Sequence, residues 1–531
     1  MLRSALRVLM ILGLVAVLAP TGAVAAPPAA RGVGEAIKPV ANLQYADQFD
    51  TGKNQGTDLE FAVLTATGNP ARSSDVAPKR PGIQHRYSVA GSYDNGMHII
   101  DITNPTAPRK AGRYDCGVSQ GDVQVFTRGA RTYATYTMDA AYVLHEGSQC
   151  VLEAKALGLF KGTGEAAPTA VDPFGDFGRA GIGTYIADIT NPARPRTVSY
   201  VASTKGAHNM TVHPSGNYLY ESNSQLYTTA ADAGIEVFDI RRFAAPRRVA
   251  KLTLPPTPGL GAESHDLTFN GAGTRAYSAA LSQTVSINTE DPRKPSIISV
   301  IVDPTINVHH QADPATLTDK TTGQTRRFLF IEDEFVGALG TGQCPNGGVH
   351  VYDITGPLEN APVKVGYWNI DELRETDSGI SNTGVSDPPF GAISMQSCTA
   401  HVFNIHQNQA LMTIAFYNGG VRVVDLSNLV GVSLGGNGLG MKQLGYYRFP
   451  DSNTWAVKAP FVNRKGFYLY GNDIQRGFDV YRYTPVKASE AAPAVPGQWL
   501  TPAEVAARSA AVAKPTALTK DNAPFCLLRK L

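Results

Sequence analysis

Charge is scarce in this sequence. Charged residues make up 17% of the chain, the formal net charge is +2, and no long run carries a single sign. The composition therefore gives no support to partners that are recognised through dense positive charge, such as nucleic acid or an acidic membrane. Toward the C-terminus no apolar run is long enough to cross a bilayer, so no transmembrane segment is expected.

Recognisable catalytic signatures are missing as well. The chain contains no G-x-S-x-G, which excludes the nucleophile elbow of α/β-hydrolases. Glycine pairs such as those of "GAGTR" (271–275) indicate hairpin turns and not phosphate-binding loops. The His and Cys spacing that marks zinc modules is absent too.

The N-terminus is typical of an exported protein. A basic "MLRSALR" precedes the apolar "VLMILGLVAVLA", and the small residues Ala23 to Ala25 follow. This order predicts a signal peptide over residues 1–25, a flexible mature N-terminus over 26–39, and a secreted, extracellular protein.

Only five cysteines are present, and export makes them candidates for disulfides. Cys116 and Cys150 flank the first strands of one repeat and its insertion, and Cys344 and Cys398 lie in long loops. These are the two candidate pairs, although spacing alone does not determine connectivity. Cys526 is left over in the C-terminal tail.

One phrase recurs along the chain: an apolar run that ends in Asp, a turn with Asn and Pro, and a second run. It begins at Met97, Thr184, Ile235, Thr284, Val349 and Val421, with a remnant at Phe478. Proline fixes φ and lacks an N–H donor, so the prolines of "DITNPTAP" end one strand and shape the crossing to the next. Two further strand signals precede each copy, and each unit therefore holds four antiparallel strands.

Seven such units can be counted, which predicts an all-β, seven-bladed β-propeller. The predicted units are 56–115, 119–202, 205–254, 262–302, 307–370, 397–450 and 453–483. The last unit lacks a fourth strand, and "VANLQYADQF" (Val40 to Phe49) resembles the fourth-strand sequence of the sixth. We expect this N-terminal segment to complete the last blade and close the ring, because closure removes an unpaired edge.

The domain boundaries follow from this count. The propeller is expected over 40–485 and a C-terminal tail over 486–531. Thr501 as N-cap and Pro502 in the first turn predict a short helix in that tail.

The corner sequence, with Asp-Ile or Asp-Leu followed by Asn-Pro-x-x-Pro, resembles the LVIVD-repeat family of secreted bacterial β-propeller proteins. The resemblance extends over most of 56–483, although Asn288 replaces the aspartate in the fourth unit. It implies the fold and an exported location. It implies little about activity, because the family is defined by its repeat.

Histidines stand at one register, just before the first strand of four successive units: His208, His265, His309 or His310, and His401. First strands line a propeller's axis, so these imidazoles could converge and bind Fe, Cu or Zn. An all-histidine site of this kind is similar to the iron site of carotenoid-cleaving oxygenases. Glu263 could orient a ligand from behind.

A structural role competes with this interpretation. In WD-repeat propellers a histidine at this register bonds an aspartate inside its blade, and Asp239, Asp353 or Asp425 could be the acceptor here. The other three units carry Thr57, Gly121, and Thr454 or Trp455 at about this position. A metal site that is bound from only one side of the axis would account for the three units that lack the histidine.

Acidic residues follow the second strand of several units. The candidates for a polar rim site, with Ca²⁺ as its ion, are Glu221, Glu332, Asp333, Glu334 and Asp473. Solvated turn formers are the plainer interpretation of the same residues.

Two functional hypotheses follow. The first is a secreted scaffold that binds an extracellular protein, glycan or cell-wall component through rim loops and the axial channel. The second is a metal-dependent oxidase or oxygenase that uses the axial histidines.

Overall fold

The computed structural model describes residues 32–45, 54–65, 84–92, 95–116, 120–138, 147–160, 183–202, 207–223, 234–257, 263–334, 347–370, 399–486 and 499–509. The predicted signal peptide, Cys344, Cys398 and Cys526 lie outside these ranges. Among the described residues, no helix is long and apolar enough to span a membrane.

Strands dominate the described chain. In order they are β1 (Val33–Glu35), β2 (Ile37–Leu43), β3 (Gly56–Thr65), β4 (Gln84–Ser92), β5 (Gly96–Asp101), β6 (Arg109–Tyr114), β7 (Gln120–Arg128), β8 (Arg131–Met138), β9 (Gly183–Asp188), β10 (Arg196–Ala202), β11 (Ala207–Val212), β12 (Tyr218–Asn223), β13 (Gly234–Asp239), β14 (Arg247–Thr253), β15 (Asp266–Phe269), β16 (Arg275–Ala280), β17 (Gln283–Asn288), β18 (Ser296–Ile301), β19 (His309–Thr318), β20 (Thr325–Asp333), β21 (Gly348–Asp353), β22 (Val363–Trp368), β23 (His401–His406), β24 (Leu411–Ala415), β25 (Val421–Asp425), β26 (Lys442–Arg448), β27 (Thr454–Lys458), β28 (Phe467–Asp473), β29 (Gly477–Tyr483) and β30 (Trp499–Leu500). The helices are α1 (Gln149–Ala156), α2 (Leu429–Ser433) and α3 (Pro502–Ser509), with short 3-10 turns at Gly356–Glu359 and Gln407–Gln409.

These strands form seven antiparallel sheets, which are the blades of the predicted propeller. Blades one to five begin with β3, β7, β11, β15 and β19, and blades six and seven begin with β23 and β27. Within each blade, consecutive strands are neighbours, as the repeated phrase predicts. The predicted unit boundaries agree with the blades to within a few residues, and the seven-bladed fold is confirmed.

The core lies between neighbouring blades. Ile186 of β9 packs with Met210 and Leu219 of the next blade, and all three side chains are fully buried. Burying each such side chain stabilises the fold by about 1.5–3 kcal/mol relative to leaving it exposed. Apolar surfaces on both faces of each sheet therefore hold the blades side by side.

The aspartate of the repeated phrase caps the corner after the third strand. In the first blade, Asp101 Oδ1 accepts the N–H of Thr103 at 2.9 Å. This is an Asx-turn, in which a side-chain oxygen satisfies a backbone N–H two residues on. The equivalent bonds join Asp188 to Thr190, Asp239 to Arg241, Asn288 to Glu290, Asp353 to Thr355 and Asp425 to Ser427. Asn288 fits because its side chain carries the same Oδ1.

The N-terminal segment closes the ring. Strand β2 pairs with β29, from Ile37 opposite Tyr483 to Leu43 opposite Phe478. The predicted closure is thus observed, and the strand spans Ile37–Leu43, while residues 46–49 of the predicted segment lie outside the described residues. In addition, β1 pairs with β26 of the sixth blade.

Residues 26–39 are predicted to be flexible, but strands begin within this segment. Both β1 and β2 begin before residue 40, because each finds an unpaired edge strand to bond. Ala36, with φ of 59°, lies between them and turns the chain from one blade to the next.

Other peripheral segments are tied to the ring. Cys116 and Cys150 form the predicted disulfide, which joins the first blade to α1. Strand β30 adds a fifth strand to the fifth blade beside β22. Helix α3 follows, and Thr501 Oγ1 accepts the Glu504 N–H at 3.4 Å while the Thr501 N–H bonds Glu504 Oε2 at 2.8 Å. This reciprocal capping box starts the predicted tail helix.

Candidate metal centre in the axial channel

A cavity of about 300 Å³ runs between the first strands of the blades. Three positions along the first strands supply nearly all of its lining, although not every strand contributes at each position. The first is the histidine register, occupied by Thr57, His208, His265, His310, His401 and Trp455. The second is one residue further on (Asp58, Asp122, Asn209, Asp266, Gln311 and Val402), and the third lies two beyond that (Glu60, Gln124, Thr211, Thr268, Asp313, Asn404 and Lys458). Seven strands thus present three tiers of side chains to one channel.

Four imidazoles form a row along the first tier. The ring centroids of His208 and His265 are 3.9 Å apart, those of His265 and His310 4.3 Å, and those of His310 and His401 4.5 Å. All four side chains are buried. The histidines that the repeat register singled out therefore do meet at the axis.

A β-bulge decides between His309 and His310. His309 pairs opposite Asp333 and Gln311 opposite Glu332, so His310 is the extra residue between them. Bulges redirect a side chain, and here the ring of His310 faces the channel. His309 instead places Nδ1 2.7 Å from Thr284 Oγ1 of the preceding blade, which is a structural contact.

His401 is held in one orientation by the next blade. Its Nδ1 lies 2.6 Å from the carbonyl oxygen of Trp455. A carbonyl only accepts, so Nδ1 carries the proton and Nε2 presents a lone pair. Burial, and then the neighbouring His310, hold the pKa of His401 well below its usual range. The ring is thus neutral, the form that binds a metal.

His310 is held in a similar way by its own blade. Its Nδ1 lies 2.6 Å from Glu332 Oε2, and its Nε2 lies 3.2 Å from Glu334 Oε2. When Nδ1–H donates to Glu332, Nε2 is left as the ligand nitrogen, an arrangement common behind metal-binding histidines. Burial, and then Asp333, raise the pKa of Glu332 well above its ordinary value.

Glu334 stands between the two histidines. Its Oε1 lies 3.7 Å from His401 Nε2 and also accepts a hydrogen bond from the Tyr417 hydroxyl. One ligand atom each from His310, Glu334 and His401 lies within 4.8 Å of the others. Among the described residues this is the group of His, Cys, Asp and Glu whose spacing suits one metal ion.

This group differs from the predicted four-histidine set. His208 and His265 lie beside it in the row but are not part of the closely spaced group. Glu334, predicted with the rim acids, provides the third closely spaced atom instead. Glu263, the predicted orienting residue, is fully buried before β15, and its action on His265 stays a prediction.

The five predicted rim acids are buried and have different surroundings. Glu221, Glu332, Asp333, Glu334 and Asp473 are each at most 2% exposed, so they are not solvated turn formers. Asp333 accepts the N–H groups of Asn307 and Val308, and Asp473 that of Asn453, which fixes the chain just before a first strand. Glu332 and Glu334 are in contact with His310, and Glu334 also lies near His401.

The aspartates considered as structural partners for the histidines have another role. Asp239, Asp353 and Asp425 cap the corners of their own blades, as described above. His310 and His401 bond a glutamate and a main-chain carbonyl instead. The WD-type His–Asp pair is therefore not the arrangement of these two histidines.

The corner sequence of the first blade matches a known repeat. Residues 87–116, which include β5 and β6, match the model of the LVIVD repeat. The chain carries the LVIVD repeat. No curated protein matches it.

Two solved structures similar to this LVIVD-repeat chain have low sequence identity. The periplasmic gluconolactonase PpgL of Pseudomonas aeruginosa is 10% identical with a TM-score of 0.44, covering 74% of this chain and 93% of that chain. The Cps50 (Swd1) β-propeller domain of Myceliophteria thermophila is 9% identical with a TM-score of 0.41, covering 75% and 94%. Neither likeness carries an argument about activity.

The acidic tiers of the channel are not among the site residues predicted from the sequence of this LVIVD-repeat chain. Asp58, Asp122 and Asp266 each directly follow the histidine register, and Glu60 and Asp313 lie in the tier below. The sequence does contain a pattern that indicates them. When the seven first strands are aligned, a polar residue directly follows the histidine position in five of them. Strand alternation alone does not reveal it, since a bulge puts two successive residues on the channel side.

Proposed function

We propose that this protein binds a divalent transition-metal ion on the propeller axis through His310, Glu334 and His401, and that the ion activates a small ligand held in the channel. The observation that carries this proposal is the close spacing of the two histidine nitrogens and the glutamate oxygen, all three within 4.8 Å of one another and buried. A metal-dependent enzyme of the oxidase or oxygenase type is the function this arrangement supports best.

The chemistry of the donor set supports that class. Two imidazoles and one carboxylate leave coordination positions open, the arrangement typical of non-haem Fe(II) oxygenases. Copper and zinc are also suited to imidazole ligands. His310 and His401 both line the channel, so an open position would face the cavity. Glu332 and the Trp455 carbonyl would hold the two rings in place.

Metal content of the purified mature protein tests the proposal. The protein would be stripped with a chelator and reloaded separately with Fe(II), Cu(II) or Zn(II), and bound metal would be measured by mass spectrometry. We expect about one ion per chain for wild type and a loss of binding for His401→Ala. His406→Ala is the matched control, because His406 ends the same strand outside the cluster. Metal-free wild type, or full loading of folded His401→Ala, would contradict the proposal.

The rim-scaffold hypothesis stays a prediction. The rim loops on which it depends are predicted at 147–180, 316–327, 371–396 and 430–440, and residues 161–180 and 371–396 lie outside the described residues. Residues 316–327 were expected to be a loop, but most of them belong to the hairpin of β19 and β20. The described residues favour no particular protein, glycan or cell-wall partner.

A further inference from the structure

The two lower tiers of the channel are strongly acidic. Among the described residues, five carboxylates and one ammonium group line the cavity: Asp58, Glu60, Asp122, Asp266, Asp313 and Lys458. The carboxylates come from the first strands of blades one, two, four and five, so they lie around the channel and not along one surface. Like charges that share a low-dielectric cavity repel strongly unless a cation lies between them.

Lys458 shows how this channel holds an ammonium group. Its Nζ lies 2.8 Å from Asp58 Oδ1 and 2.8 Å from Glu60 Oε1. Burial alone would lower the pKa of this lysine, yet the two carboxylates raise it well above its ordinary value. One side of the channel therefore already stabilises a buried aliphatic ammonium ion.

The other side of the channel holds three further carboxylates. Asp266 accepts from Asn209 Nδ2 at 2.7 Å, and Asp313 accepts from Thr268 Oγ1 at 2.7 Å. Asp122 Oδ2 is buried and has no hydrogen-bond partner among the described residues. Burial, and then Asp313, raise the pKa of Asp266 to about 6, and burial with Asp58 raises that of Asp122. No described Lys, Arg or His forms an ion pair with any of these three aspartates.

The spacing favours an organic cation over a bare metal ion. No three carboxylates of these tiers place oxygens within 4.8 Å of one another among the described residues, so they cannot jointly ligate one ion. An aliphatic amine donates several N–H bonds and can span longer gaps. The cavity of about 300 Å³ lies at the lower end of the range for small-ligand sites. Trp455 adds an aromatic wall of the kind that attracts cations.

A second buried group points to a ligand in the same cavity. His401 is 1% exposed and lines the channel, and its Nε2 has no hydrogen-bond partner among the described residues. The first tier of the channel, which holds the histidines, thus offers a lone pair or an ion bound by it. The second and third tiers offer negative charge. A ligand that satisfies both the first tier and the tiers below it is short and cationic.

We propose that the channel binds a small aliphatic amine, with its ammonium group against Asp122, Asp266 and Asp313. The amine is then the ligand presented to the metal ion, and that part of the inference rests on the function proposed above. Binding of the amine does not itself need the metal, because the acidic tiers are supplied by the fold.

Calorimetric titration of the metal-free, full-length mature protein with 1,4-diaminobutane tests the inference. We expect saturable binding of the diamine and none of its neutral counterpart 1,4-butanediol. Because hydrogen bonds to charged groups are lost, Asp122→Asn combined with Asp266→Asn should weaken the affinity by about tenfold or more. Asp291→Asn is the matched control, since Asp291 lies in an exposed corner. Asp122→Asn alone serves if the double variant fails to fold.

The outcomes separate this inference from the proposed metal site. Diamine binding that survives in His401→Ala, whose metal is lost, supports both proposals. A diamine-binding protein that never takes up metal leaves the amine site standing and overturns the metal centre. Metal uptake without diamine binding overturns the amine site alone. Equal binding by the acidic-tier variant, or binding of Ca²⁺ with no binding of the diamine, also contradicts it.

Discussion

His309 and Thr284 join the fourth and fifth blades, with Nδ1 of the histidine 2.7 Å from Oγ1 of the threonine. The backbone follows the same route, since the His309 N–H donates to the Leu281 carbonyl at 2.7 Å. The adjacent His310 has a different role, because the bulge directs its ring into the channel. Two successive histidines are thus divided between structure and the candidate metal centre.

Replacing each of these two histidines with alanine should therefore give different results. His309→Ala should retain metal but lower the free energy of unfolding by about 1–3 kcal/mol, because a buried hydroxyl loses its partner. His310→Ala should lose metal binding. Metal content and urea unfolding of both variants measure the two effects. If a folded His309→Ala protein contained no metal, the assignment of the metal ligand to His310 and not to His309 would be wrong.

The corner aspartates allow a test of the repeat itself. Asp353 Oδ1 accepts the Thr355 N–H at 2.8 Å, and the fourth blade performs the same function with Asn288. Asp353→Asn keeps that oxygen and should change the free energy of unfolding by less than about 0.5 kcal/mol. Asp353→Ala removes it and should cost about 1–2 kcal/mol. Chemical denaturation compares them, and equal losses in both variants would show that the carboxylate charge matters and not the turn.

The propeller could be predicted because its signals are local and repeated. Each corner needs an oxygen at the end of the third strand and prolines beyond it, so the phrase marks every blade independently of the others. The fourth unit was located even though Asn288 replaces the aspartate. The closing strand could be predicted because the seventh unit ended without a fourth strand of its own.

The site was only partly predictable, for a physical reason. The histidine register repeats with the blades, so convergence of His208, His265 and His401 followed from the fold. Glu334 lies just beyond a second strand, and no repeated pattern indicates that it meets His310. Which of His309 and His310 enters the channel depends on a one-residue bulge. The bulge changes the direction in which a side chain points but leaves no mark in the sequence pattern.

Ring closure depends on burial of the N-terminal strand. Leu43 at the end of β2 is 2% exposed and packs in the cluster that includes Phe478 of β29. Leu43→Ala should lower the free energy of unfolding by about 2–5 kcal/mol, as other buried leucines do. Val33→Ala is the control, because Val33 in β1 is 38% exposed and should change stability by less than about 0.5 kcal/mol. Similar melting of the two variants would mean that β2 contributes little to closure.

Acid should destabilise the protein partly through His406. Burial lowers the pKa of His406 to about 4, from 6.5. Below pH 6.5 the unfolded chain takes up a proton at this residue while the folded chain does not, so stability falls as the pH drops from about 6.5 to about 4. The full effect is at most about 3.5 kcal/mol, since one pKa unit corresponds to about 1.4 kcal/mol.

His406→Gln removes this titration while leaving a polar side chain near Thr413, whose hydroxyl lies 3.5 Å from His406 Nε2. Urea unfolding at pH 7.0, 5.5 and 4.5 measures the free energies for both proteins. Protonation of other buried histidines also destabilises the protein in acid. The informative quantity is therefore the difference in the free energy of unfolding between wild type and variant. That difference should shift in favour of the variant by about 1–3 kcal/mol between pH 7.0 and 4.5. Parallel pH profiles would show that His406 titrates alike in the folded and unfolded chains.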